Sequence, residues 1–314
     1  MRLMDGLRFA LGTLSVLPVR VERVDRQVTG QAMALAPAVG LLLGLLAGLA
    51  LLLPAPPLLG AVLALGLLAL LTRGLHLDGL ADLADGLGSG KPSDQALDIM
   101  KKSDIGPFGV MTLVLMLLAQ VVALADAGLW ALVTACVAGR LALTWACRSG
   151  VPAARPDGLG AMVAGTVRRP AVWFATVAAL LAAAVIGLLS APGTGLWAWD
   201  GGPGTVLFEE NYDVKSACLP DCPESLPPGL RYESDTEYEV PPAVNMVAVS
   251  GGSEGPGGLS GVVVAPVALL AGLGAALLLL AHARRRLGGI TGDVLGALVE
   301  TATAATLVVY AVLG

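Results

Sequence analysis

Three aspartates in the stretch HLDGLADLADG, residues 76–86, have the spacing of a metal site. On a helix turning 100° per residue, positions 78, 82 and 85 fall at about 0°, 40° and −20°, so Asp78, Asp82 and Asp85 project one way within two turns. Carboxylates stacked like this raise one another's pKa unless they share protons or bind a cation. A hard divalent ion with oxygen ligands relieves the repulsion, and Mg²⁺ is typically held by one or two carboxylates together with substrate phosphates. The expected chemistry is a Mg²⁺-assisted reaction at a phosphate. The bland alternative is a solvated helix face. Three acids in line, beside His76 and between apolar residues, argue for a site instead.

Other residues extend the pattern. Lys101, Lys102 and Asp104 sit in IMKKSDIGPFG, residues 99–109. The lysines are candidate phosphate ligands and Asp104 a candidate base or further ligand; an ordinary helix N-cap beside interfacial lysines would give the same residues. In RRRLGGITGDVLGALVE, residues 284–300, a glycine-rich helix start would present N–H groups to an anion. Asp293 there is a candidate metal ligand, with Glu300 seven residues on along the same face. Arg140 lies inside an apolar run, where a lone charge needs a partner: an aspartate, or a substrate phosphate. His76 is a candidate proton acceptor, and the basic loop 158–169 is expected at the mouth of the site.

These residues sit in a chain that is 56% hydrophobic and 14% charged, with mean hydropathy +0.79. Soluble domains carry about 25% charged residues, so the sequence excludes an ordinary soluble globule and predicts an all-α polytopic membrane bundle. Apolar runs long enough to span a bilayer give about seven transmembrane helices, at 33–53, 57–73, 107–125, 129–147, 171–191, 260–282 and 294–313. The aspartate stretch reads as the second span's helix continuing below the apolar zone. PAPP (54–57) and DAG (126–128) read as tight turns. The first 20 residues suggest an amphipathic surface helix or a re-entrant piece, and no cleavable leader is evident.

Seven spans with the N-terminus inside keep nearly every Lys and Arg on one face, which predicts the cell membrane with a cytoplasmic site. Residues 192–259 break the composition, with eleven acids and two bases among Pro, Gly and Ser. They read as an acidic, irregular extracytoplasmic insertion between a membrane domain, 1–191, and two final helices, 260–314. Removing it leaves 17 bases and 13 acids. Cys218 and Cys222 within it read as a local disulfide or free thiols, and Cys136 and Cys147 as packing residues. Nothing suggests nucleic acid as a partner; the lipid bilayer is one, and homo-oligomerisation stays open.

HLDGLADLADG, DIMKKSDIGPFG and RRLGGITGDVLGALVE, in this order, closely resemble the cobalamin synthase family, also called adenosylcobinamide-GDP ribazoletransferase. LSVLPVR near the N-terminus is similar to its opening. The resemblance covers about residues 1–191 and 260–314 and leaves out the acidic segment. It implies a Mg²⁺-dependent late step of cobalamin assembly, joining α-ribazole or its 5′-phosphate to adenosylcobinamide-GDP with release of GMP. Asp78, Asp82, Asp85 and Asp293 would hold the metal. Asp82, His76 or Asp104 would take the hydroxyl proton, and Lys101, Lys102 and Arg140 would clamp phosphate. Two alternatives remain. One is another aspartate- and Mg²⁺-dependent alcohol phosphotransferase, whose D-x-x-D-G-x-x-A-R pattern is absent. The other is a cation-coupled transporter, whose two similar halves are not found.

Overall fold

A computed structural model describes residues 2–21, 24–102, 104–190 and 261–314. The acidic segment, with Cys218 and Cys222, lies outside the described residues.

Helix follows apolar run along most of the chain, and Pro, Gly and short polar residues set the boundaries. The amphipathic N-terminus forms α1 (Arg2–Leu14), which buries Phe9, Ala10 and Leu14. Asp25 starts α2 (Arg26–Gly48), its carboxylate accepting the N–H groups of Gln27 and Val28 at 2.9 Å each, the usual role of an N-cap acid. A 3-10 turn, Leu49–Leu52, leads to α3 (Pro57–Leu71), which has proline at its first position. Next come α4 (Leu75–Gly88), α5 (Ser93–Ile99) and the 40-residue α6 (Pro107–Ala146). The chain continues through α7 (Gly158–Val163), α8 (Arg169–Leu189), α9 (Gly261–Leu287) and α10 (Gly292–Leu313). No strand forms among the described residues; two isolated bridges, Arg148 with Val167 and Ala153 with Ile290, tie together the segments between helices.

Five of the described helices are long and apolar enough to cross a membrane: α2 with its 3-10 turn, α6, α8, α9 and α10. Forty residues of straight helix would be about 60 Å long, twice the hydrocarbon thickness. Gly128, with φ 74° and ψ −167°, breaks α6 into two arms, 107–127 and 129–146. Gln120 in the first arm bonds Glu300 of α10 at 2.9 Å. Gly139 in the second lies against Val299 and Thr303 of the same helix. A straight helix would hold positions 120 and 139 about 28 Å apart, so the arms fold back as a hairpin astride α10. The turn expected at 126–128 is therefore present. Counting the arms separately gives six full-length passes plus α3, whose 15 residues reach only about 22 Å.

The aspartate helix does not continue the second span as expected. It turns away from α3 by 89°. Thr72 donates its hydroxyl back to the carbonyls of Leu68 and Ala69, and Arg73 and Gly74 then take left-handed φ values of 55° and 66°. Two left-handed residues in succession end one helix and redirect the next. So redirected, α4 packs across the first turns of α6 and α10 instead of running alongside them.

Candidate active site

Glycines set the crossing of α4 over α10. A Cβ on Gly79 would lie 2.8 Å from the backbone oxygen of Asp293, and one on Gly296 3.0 Å from that of His76. The two backbones therefore meet directly, which side chains would prevent, and Asp293 comes beside the face of α4 that carries Asp78 and Asp82. Asp78 is exposed and Asp82 partly buried. Both line a cavity of about 1030 Å³, together with Arg73, Lys101 and Lys102. Two of the expected aspartates, Asp78 and Asp82, thus share one space with the expected lysines. Arg73, the non-glycine residue with positive φ among the described residues, is on the same wall; its guanidinium donates to the Ser15 carbonyl at 3.3 Å.

The electrostatics identify a carboxylate cluster in want of positive charge. Burial, then the charges of Asp78, Asp293 and Asp85, push the Asp82 carboxyl up to about 6, against the opposing pull of Arg155. Arg155 stands 3.9 Å from Asp293 and donates to the Leu97 carbonyl. Thr291 caps α10 by accepting the Val294 N–H at 3.2 Å and donates its hydroxyl to Asp293, also at 3.2 Å. Sequence reasoning missed Arg155 and Arg73, since nothing in their spacing separates them from the other arginines between the helices.

Four expected site residues lie elsewhere. Asp85 shares the direction of Asp78 and Asp82, but one turn further along α4 the start of α6 crosses it. Its two oxygens accept the N–H groups of Gly106 at 2.7 Å and Gly109 at 2.9 Å, so the carboxylate caps α6 from another helix. A Cβ on either glycine would collide with it, which explains the Gly-Pro-Phe-Gly start. His76 points away from the cavity. Position 76 lies about 160° round the helix from position 78, and the ring is buried against α10, its Nε2 lacking a hydrogen-bond partner. Burial, then the charge of Arg140, hold its pKa well below the ordinary value, so it is no proton acceptor for a group in the cavity. Arg140 is 1% exposed, inside the bundle among Cys136, Glu300 and His76, out of reach as a phosphate clamp. Asp104 is exposed and does not line the cavity.

The glycine-rich start of α10 is also not an open anion cradle. Ile290 exchanges hydrogen bonds with the carbonyl of Pro152 and the N–H of Ala154 at 3.0 Å each, and Gly289 packs against Ala153. The loop 158–169 does reach the site, through Leu159 on the cavity wall.

Membrane passes, a cavity with two aspartates facing two lysines, and a third aspartate brought in by α10 are what the comparisons meet. The cobalamin-5-phosphate synthase family model matches residues 6–203 and 241–311. The chain belongs to the cobalamin-5-phosphate synthase family. An adenosylcobinamide-GDP ribazoletransferase of Frankia casuarinae is 39% identical over 97% of this chain and 93% of its own. One from Nocardioides sp. is 44% identical over 59% of this chain and 82% of its own, and one from Corynebacterium efficiens 38% over 65% and 74%. No solved structure matches the chain. These relatives favour neither the transporter nor the alcohol phosphotransferase alternative. The family match stops at 203 and resumes at 241, inside the boundaries read from composition.

Whether the residues suit Mg²⁺ is a question of their chemistry. Among the described residues no three His, Cys, Asp or Glu side chains form a ready-made metal cluster. Mg²⁺ seldom needs one, keeping several waters and taking substrate phosphate oxygens beside one or two carboxylates. Asp78 and Asp82 on the wall, with Asp293 close enough to raise the Asp82 pKa, meet that demand.

Proposed function

We propose that the chain is a Mg²⁺-dependent adenosylcobinamide-GDP ribazoletransferase of a cell membrane, working at its cytoplasmic side. The observation that carries this reading is the juxtaposition of Asp78 and Asp82 with Lys101 and Lys102 around one cavity, in a chain that a ribazoletransferase matches almost end to end. The basic inner loops support the orientation.

In the proposed reaction a ribose hydroxyl of α-ribazole, or of its 5′-phosphate, attacks the phosphorus attached to cobinamide. An oxygen–phosphorus bond forms, the diphosphate bridge breaks, and GMP leaves with the bridging oxygen. Asp78, Asp82 and Asp293 would hold Mg²⁺, which would neutralise diphosphate charge and the charge growing on the leaving phosphate. Lys101 and Lys102 bind phosphate oxygens through their ammonium donors. Asp82, which lines the cavity, would offer the carboxylate oxygen not engaged by the metal to the hydroxyl proton. Burial raises the Asp293 pKa and Arg155, 3.9 Å away, opposes that rise, and Asp85 fixes the angle between α4 and α6 that brings lysines and aspartates together.

The test is GMP release by the purified chain in detergent, supplied with adenosylcobinamide-GDP and α-ribazole. Release that requires Mg²⁺ and stops with EDTA is expected. Release unaffected by EDTA would remove the metal from the account, and no release at any Mg²⁺ concentration would remove the reaction.

A further inference from the structure

A second basic corner lies apart from the cavity, where α6 ends and α8 begins. Arg148, just past the end of α6, donates to the Trp145 carbonyl at 3.0 Å and lies 5.4 Å from the centre of that indole ring. It bridges to Val167, two residues before Arg169 at the start of α8. Arg284, in the last turn of α9, reaches the Gly150 carbonyl at 3.5 Å, and its Nε is buried without a partner. Arg148 and Arg284 therefore come to one corner, with Arg169 near enough for its charge to act on Arg148, and among the described residues no carboxylate pairs with any of them. Partial burial, then the charges of Arg284 and Arg169, shift the Arg148 pKa downwards. Carbonyls at the ends of α6 and α9 offset some of this charge, but among the described residues no carboxylate balances it.

The surface beside the corner indicates the missing partner. Trp145 and Trp173 meet edge to face at 5.3 Å, and the Trp145 indole donates to the Thr176 hydroxyl at 3.0 Å. Tryptophan gathers at the headgroup level of membranes. From Trp173, 61% exposed, an apolar stripe runs along α8 through Val177 and Leu181, at steps of four residues that keep one face. A cationic corner heading an exposed apolar stripe has the two-part chemistry of a phospholipid, which a free phosphate would use only in part.

We propose that Arg148, Arg169 and Arg284 bind the headgroup of an anionic phospholipid whose acyl chain lies along the Trp173–Val177–Leu181 face of α8. Basic pockets between membrane helices recognise such headgroups. The site is separate from the catalytic reading and stands or falls without it.

Native mass spectrometry of the full chain in neutral detergent, titrated with phosphatidylglycerol or phosphatidylcholine, tests the proposal. Wild type should retain one phosphatidylglycerol in preference to phosphatidylcholine. Arg169→Gln, an exposed change that spares the fold, should bind it about fivefold more weakly, and the Arg148→Gln, Arg284→Gln double variant about 25-fold more weakly. Arg285→Gln removes the same charge about 100° round α9 and should change nothing. Equal losses from Arg285→Gln and Arg169→Gln would reduce the effect to general surface charge and overturn the proposal. So would the absence of headgroup preference in wild type, or displacement of the lipid by millimolar inorganic phosphate.

Discussion

The molecule keeps its ionisable side chains in two places with opposite surroundings. Around the cavity, Asp78, Asp82, Arg73, Lys101 and Lys102 line a space large enough for a ligand. Inside the bundle, Arg140, Glu300, Gln120 and His76 are buried between helices, with Gln120 tied to Glu300 across α6 and α10. Both sets interrupt apolar sequence, and both look alike as isolated charges among leucines. The difference lies in what each charge meets. The inner set meets only the packed interior: Gln120 bonds Glu300, while His76 Nε2 and two of the Arg140 nitrogens are buried without a hydrogen-bond partner. The carboxylates of the cavity set are answered incompletely, and on the proposed function that deficit is where a cation and a phosphate would bind. A charge within a membrane sequence therefore marks a candidate site when it lines open space, more than when it is merely buried.

Substitutions at the two places should fail in different ways. Asp82→Ala should lower GMP release about 100-fold or more while leaving thermal stability unchanged or raised. A loss of stability matching the loss of rate would make Asp82 structural and erase the contrast. Asp85→Ala, one turn along the same helix, should do the reverse. Stranding two buried N–H groups at the start of α6 should cost about 2–3 kcal/mol, read as a fall in Tm, with the surviving folded protein still able to bind Mg²⁺. Arg140→Gln should destabilise by about 1–3 kcal/mol yet keep kcat within about threefold per folded molecule. A much larger drop in kcat would return Arg140 to the substrate.

The smallest effect is in pH. Asp82 has a folded pKa of about 6, raised from 3.8, so the folded state binds more protons than the unfolded state between those values. Thermal stability of the metal-free protein should therefore increase as pH falls through about 6, and decrease as it rises. Asp82→Asn should flatten that slope. A slope that persists in Asp82→Asn would belong to another group.

Several features were legible from residue spacing alone. Apolar run lengths gave the helical bundle, and the Asp-Ala-Gly at 126–128 gave the hairpin turn that Gly128 makes. The wheel that grouped Asp78 with Asp82 also placed His76 on the far side, a signal present but unused. The break at Arg73 and Gly74 was half visible, since a glycine after an apolar run is a common helix stop, yet its 89° turn depends on tertiary contacts. Asp85 was out of reach for a stricter reason. Periodicity gives the direction of a side chain, whereas its function here is set by a glycine-started helix 21 residues away. Arg155 was hidden likewise, its meeting with Asp293 made by a loop and the first turn of α10, which no local pattern connects.

The most direct measurement is of the metal itself. Mn²⁺ binding to the full chain in detergent, with GDP as the diphosphate, can be followed by electron paramagnetic resonance and competed with Mg²⁺. One competable site should be present in wild type, absent or much weakened in Asp82→Asn and in Asp293→Asn, and retained in Asp85→Asn. Undiminished binding in both Asp82→Asn and Asp293→Asn would contradict a cation shared between α4 and α10.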